Sequence, residues 1–226
     1  MQTFNILKKS KIKDSFRNNL VINKFDLQIK NIEEEFSGQI DIPENWNIGV
    51  IVGNSGTGKS IIAKQLFKNN YINKFDYDNN SIIDNISKDI KIDEILKVLG
   101  SVGFSTPKSW LKSYHVLSNG ECMRVDLARA ILEKNDLIVF DEYTSVIDRN
   151  VAKFGSLAIQ KSIRKLNKQF IAVSCHFDIL EWLQPDWIFD TNKMDMIKVK
   201  KNHKYELKYL NIEINQFGNT LANIII

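Results

Sequence analysis

Three short strings in this sequence have residue types and spacings that can do chemistry. The first is GNSGTGKS, Gly53 to Ser60. It satisfies G-x-x-x-x-G-K-[ST], a loop whose glycines let successive backbone N–H groups turn inward on phosphate oxygens. Gly53, Asn54, Ser55, Gly56, Thr57, Gly58, Lys59, Ser60 and the following Ile61 form the expected nucleotide-binding set. Lys59 is expected to reach the β- and γ-phosphates, and the Ser60 hydroxyl to meet Mg²⁺.

The second string is LIVFDE, Leu137 to Glu142: four apolar residues and then two carboxylates. In open parallel sheets, ligands sit at the C-terminal ends of strands. Asp141 there can hold the shell of Mg²⁺, and Glu142 is placed to take a proton from an attacking water. The third string, HVLSNGECMRVDLARAIL from His115 to Leu132, reads as a turn entering a helix, because Val125, Leu127, Ala128, Ile131 and Leu132 recur with helical spacing.

Positioning these strings requires alternating strands and helices. Ile48 to Val52 is continuously apolar, as a strand buried on both faces would be, and a helix is expected from Lys59. Further strands are expected at Ser81 to Asp84, Asp136 to Glu142, Phe170 to His176 and Trp187 to Thr191, with helices through KIDEILKVLGSVG and SLAIQKSIRKL between them. That order predicts an α/β fold with a mainly parallel sheet flanked by helices. Residues 1–30 give no strong element.

The chain has 226 residues, enough for one packed domain, with 43% hydrophobic and 26% charged residues. No apolar run approaches a membrane span and the N-terminus lacks a secretory apolar region, which points to a cytoplasmic protein. Cys122 and Cys175 are far apart and lack metal-ligand spacing. The net charge of +4 gathers at the ends, with Lys8, Lys9, Lys11, Lys13, Arg17, Lys24 and Lys30 near the start and six lysines from Lys193 to Lys208 near the finish. Basic ends admit a nucleic-acid partner, although solvated lysines are the commoner outcome.

In their joint order, the phosphate loop, LSNGE, RVDLARAIL, LIVFDE, TSVID and SCH resemble the motif set of the ABC-type ATPases, a P-loop NTPase family, from about residue 36 to residue 191. The resemblance implies that Ser118, Asn119, Gly120 and Glu121 form the signature motif, an anion site at a helix N-terminus for the γ-phosphate held by another subunit. Two copies would then enclose two ATP molecules in an ATP-dependent homodimer. Asp148 resembles the D-loop aspartate and His176 the switch histidine. Asn119 stands where the family usually has glycine, a place its tolerance of positive φ would suit. Glu121 stands where glutamine is frequent and adds negative charge near a phosphate.

The family's glutamine before the helical subdomain is not evident. Asp84 is the candidate for its place near the metal, with Asp78 as the other choice, and Phe36 is considered for adenine stacking beside a core role. The interval from Lys59 to Ser118 is shorter than in transporter ATPases and implies a shortened helical subdomain. SVGFSTPKSWL, DEYTSVIDRNVAKFGS and VSCHFDILEWLQPDWIFD resemble a narrower group of soluble ABC-type ATPases often fused to a predicted acetyltransferase domain. The expected organisation is a basic segment at 1–35, an ATPase domain at 36–192 and a basic, apolar extension at 193–226 without acetyltransferase activity. The function implied is ATP hydrolysis that drives change in a protein partner or nucleic-acid complex. The alternatives are the ATP-binding subunit of a membrane transporter and a nucleotide-gated module with slow hydrolysis.

Overall fold

Alternation along the central strands sets the architecture. The computed structural model describes residues 2–28, 31–72, 75–134, 136–197 and 199. Strand β3 (Ile48–Val52) is buried throughout. Its Ile48, Val50 and Val52 point into one apolar cluster and Ile51 into another. Strands β5 (Leu137–Phe140), β6 (Gln169–Ser174) and β7 (Trp187–Asp190) repeat this two-faced pattern, as a sheet covered on both sides must. With β4 (Tyr71–Ile72) and β8 (Asp195–Ile197) they form one sheet in the order β4-β5-β6-β3-β7-β8. All neighbours are parallel except the antiparallel β7–β8 pair. The parallel α/β reading holds, with an antiparallel edge added.

One face is covered by α3 (Ile92–Ser101), α5 (Asn119–Glu133), α6 (Arg149–Leu166) and the short α7 (Ile179–Leu183). In α3, Ile95, Val98 and Leu99 fall on one stripe and are buried. α6 starts at Asp148, whose carboxylate accepts from the Asn150 and Val151 N–H groups, and stops at Asn167, a left-handed residue at φ 52°. Truncating a fully buried residue such as Ile159 to alanine should cost about 2–5 kcal/mol.

The other face is covered by α2 (Lys59–Leu66) and by a long antiparallel pair, β1 (Gln2–Lys11) and β2 (Asn31–Ile40). Phe4, Phe36 and Ile40 anchor that pair to Ile51, Val173 and Phe189. α1 (Phe16–Lys24), between the two strands, buries no residue. β1 and α1 are elements that the sequence patterning did not reveal, because their apolar residues keep no strict period. β2 crosses the expected boundary at residue 35, and β8 lies beyond the one at 192.

Two corrections concern detail. Ser81 to Asp84 is a turn and not a strand: Ser81 makes one isolated antiparallel bridge with Ser113 and Ile82 N–H donates to Lys112 O at 2.9 Å, but the chain then turns, with Asn85 N–H to Ser81 O at 3.1 Å, and Ile82 and Ile86 bury at helical spacing. The strand beside β5 is instead β4, earlier in the chain. Between β4 and α5 stand α3, the single turn α4 (Pro107–Trp110) and a 3-10 turn at Tyr114–Val116, so one full helix occupies that interval. The expected extension lies, from residue 200 on, outside the described residues.

Candidate nucleotide-binding site

The phosphate loop leaves β3 and enters α2. Gly58 is left-handed at φ 84°, and a Cβ there would stand 2.6 Å from the Phe36 ring, so glycine is required twice over. Phe36 is only 8% exposed and packs beneath the loop, which gives it the core role. α2 has no side-chain cap, and its first N–H groups face the loop as the expected phosphate site requires. Lys59 Nζ donates to the Asn54 carbonyl at 2.6 Å. Thr57 bonds to Asn54 O at 2.9 Å and to Thr191 Oγ1 at 2.5 Å, and Asn54 N–H donates to Asn192 Oδ1 at 3.0 Å. The end of β7 thus holds the loop from the side.

Asp141 follows β5 and is 5% exposed. The Tyr71 hydroxyl donates to its Oδ2, and the Ser60 side chain is a neighbour of the same hydroxyl. Burial first, and the Asp141 carboxylate second, push the Tyr71 phenol well above its usual range. Asp141 and Ser60 therefore share one corner. A carboxylate and a hydroxyl are hard oxygen donors, the set that suits Mg²⁺ arriving with nucleotide phosphates. Among the described residues no cluster of three or more His, Cys, Asp or Glu could cage an ion unaided.

Glu142 is exposed and left-handed, at φ 53°. The next residue, Tyr143, is fully buried. Its N–H donates to Val173 O at 2.9 Å, and its carbonyl accepts from Ser174 Oγ at 2.8 Å. The His176 N–H donates to that same Ser174 oxygen at 3.1 Å, so the segments carrying Glu142 and His176 are joined. Burial first and Arg149 second lower the His176 pKa, against smaller opposing effects from Asp178 and Glu142. The imidazole is therefore neutral at pH 7.

Ser118 caps α5 in a reciprocal arrangement: its Oγ accepts from Glu121 N–H at 3.4 Å while Glu121 Oε2 accepts from Ser118 N–H at 3.0 Å. Those bonds to Ser118 hold the Glu121 carboxyl below the usual carboxylate range. Asn119 is the first helical residue and does not use the positive φ that asparagine tolerates. The capping box, and no left-handed turn, makes the corner. Its Nδ2 donates to Val146 O at 3.4 Å, and a Cβ on Gly120 would come within 2.8 Å of Val151 Cγ1, so α5 and α6 start in close contact.

Three residues beside these motifs were not found from sequence. Tyr71 belongs to a two-residue strand with no periodic signal. Arg149 pairs with Asp178, Nε to Oδ2 at 2.8 Å, and lies over the Trp182 ring at 5.1 Å, tying the residue after Asp148 to the segment after His176. Asn192 would need the fold to be known. The Asp84 carboxylate accepts from Ser81 Oγ at 2.6 Å, and Asp78 accepts from Asn80 N–H at 2.8 Å, each inside its own turn. The side chain that reaches Asp141 is Tyr71.

Residues 67–145 match the family model described as ABC transporter. The chain is 30% identical over 164 residues, 70% of its length, to the "Probable ABC transporter ATP-binding protein p29" of Mesomycoplasma hyorhinis. This chain carries an ABC-type nucleotide-binding domain. It is likewise 30% identical over 174 residues, 66% of its length, to the zinc import ATP-binding protein ZnuC of Haemophilus influenzae. The chain spans 59% and 65% of these two ABC relatives. Among solved structures, a dimeric bacterial ABC transporter cassette matches with TM-score 0.55 at 16% identity, over 70% of this chain and 87% of that one. A bacterial Atm1-family ABC exporter with ATP bound matches with TM-score 0.59 at 18% identity, over 76% of this chain and 37% of that one. These likenesses show the ABC ATPase cassette fold.

Proposed function

We propose that this ABC-type domain binds and hydrolyses ATP with Mg²⁺, dimerises around it, and uses the cycle to change the conformation of a protein partner. The observation that carries the reading is the meeting of an uncapped helix N-terminus at the phosphate loop with Ser60 and Asp141 at one corner. Mg²⁺ would be held by Ser60 and Asp141 and would neutralise phosphate charge. Lys59 turns from its Asn54 carbonyl to the phosphates, and the loop amides orient them. Glu142 stands at the strand end to take the proton of an attacking water, and neutral His176 beside it offers a hydrogen bond to the transferred phosphate. Asp148 starts α6 next to the signature corner, where it would meet the other copy.

Dimerisation draws support from the surface around Ser118. Val116 is 69% exposed and Val146 72% exposed, both beside a helix N-terminus aimed outward. Ser118, Asn119 and Gly120 of one copy would complete the site at Lys59 of the other.

A second reading, the ATP-binding subunit of a membrane transporter, rests on the zinc import relative. Copurification of an integral membrane protein tests it; among the described residues no helix is long and apolar enough to cross a membrane. Turnover tests the nucleotide-gated module. A nucleic-acid partner gains less support, since two of the N-terminal lysines are paired, Lys8 with Glu34 at 3.0 Å and Lys9 with Glu33 at 3.1 Å.

Glu142→Gln is the first experiment. Turnover should fall about 10²- to 10⁴-fold, and light scattering should show monomer becoming dimer on adding Mg²⁺-ATP. Normal turnover would remove Glu142 as base, and a persistent ATP-bound monomer would remove the shared site.

A further inference from the structure

Tyr71 lies outside every motif that the sequence presents, yet its hydroxyl donates to Asp141 Oδ2 and neighbours Ser60. Its backbone is fixed on both sides. Val139 N–H donates to Asn70 O at 3.0 Å, Asp141 N–H donates to Ile72 O at 2.9 Å, and Asn70 Nδ2 donates to Leu137 O at 3.0 Å. The Tyr71 ring packs against the apolar cluster beneath the phosphate loop. The β4–β5 pairing fixes where the side chain starts, and the packed ring and the bond to Asp141 hold the hydroxyl in place.

We propose that Tyr71 is a positioning residue for the metal-side carboxylate. By occupying Oδ2 it fixes the plane of the Asp141 carboxylate, so that the other oxygen is presented in one direction toward the corner shared with Ser60. Carboxylates that hold metal ions are commonly oriented by such outer hydrogen bonds, and losing one costs about 10- to 100-fold in metal affinity. The inference rests on the reading of Ser60 and Asp141 as the metal side of an ATP site. It goes beyond that reading by naming the group that sets the geometry.

The test is equilibrium binding of a fluorescent, non-hydrolysable ATP analogue to the full chain, first in EDTA and then with Mg²⁺ titrated in. Tyr71→Phe should bind the analogue as the unaltered chain does in EDTA, while the Mg²⁺ concentration for half-maximal response rises about 10-fold or more. In an Asp141→Asn background the same change at position 71 should move the Mg²⁺ midpoint no further. An unchanged midpoint ends the role of Tyr71. A lower one makes its hydroxyl a competitor of the cation and overturns the proposal in the opposite sense.

Should Tyr71→Phe fold poorly, 3-fluorotyrosine at position 71 keeps both ring and hydroxyl. Its ¹⁹F resonance should shift on adding Mg²⁺ to the analogue-bound chain, and an unmoved resonance refutes the contact. If the unaltered chain binds no analogue under any condition, the nucleotide reading falls and takes the role of Tyr71 with it. Equal midpoints in two chains that both bind end only the latter.

Discussion

The N-termini of α2 and α5 answer the same physical requirement in opposite ways. Each leaves backbone N–H groups without partners inside its helix. α2 begins after left-handed Gly58 with no side-chain cap. α5 begins with Ser118 and Glu121 satisfying one another, and at its other end Lys168 Nζ donates to the Lys134 carbonyl at 2.7 Å. The first N-terminus is open to an anion as it stands. The second must give up an internal bond to receive one. On the proposed reading, the difference teaches that the two halves of an ATP site need not be equally ready: the phosphate loop would be set for first capture, and the signature corner for a later event such as the arrival of a second copy.

Three substitutions break or sharpen that contrast. The largest effect is expected at the open end. Lys59→Ala should weaken ATP binding and reduce turnover by at least about 100-fold, checked by nucleotide titration and phosphate release. At the closed end, Ser118→Ala should leave ATP binding by a single copy unchanged while turnover falls. Loss of the cap should also cost about 0.5–2 kcal/mol, read as a drop of a few degrees in melting temperature. Equal loss of single-copy binding in both variants would erase the distinction between the two ends.

The smallest effect is expected for Glu121→Gln, which keeps both capping bonds and removes the charge. The Glu121 carboxyl has a folded-state pKa below its ordinary value of 4.5, chiefly through the Ser118 backbone N–H and then the Ser118 side chain. An acid of this kind contributes stability that is present above 4.5 and lost as the pH falls through the lower folded value. The variant should therefore melt within a few degrees of the original at pH 7 and lose less stability on acidification. Parallel curves for the two proteins would mean that the capping charge adds nothing.

The legible parts of this molecule were those that obey a short-range rule. Gly53 to Ser60 could be read because a phosphate loop needs fixed residue types at fixed spacing. Ile48 to Val52 and Leu137 to Phe140 could be read because strands buried on both faces are apolar without interruption. Tyr71 could not, since β4 is two residues long and its importance comes from pairing with a strand far along the chain. β1 and β2 escaped for a related reason. Their outer halves are exposed and carry charged pairs, so the core is reported by little more than Phe4, Ile6, Phe36 and Ile40. Ser81 to Asp84 misled because a short apolar run fits a strand and a buried turn equally well. The corner at Asn119 is built by a capping box, which the residue's tolerance of positive φ did not foretell.

The backbone just past β5 has a further consequence. Glu142 at φ 53° and Thr144 at φ 65° both hold left-handed conformations without being glycine, and for β-branched Thr144 this is rare. Each costs on the order of 1 kcal/mol that glycine would not incur. On the proposed reading, glycine at position 142 would relieve that strain and would also remove the carboxylate proposed as base. The segment would then mark where durability is surrendered for a carboxylate in the right place.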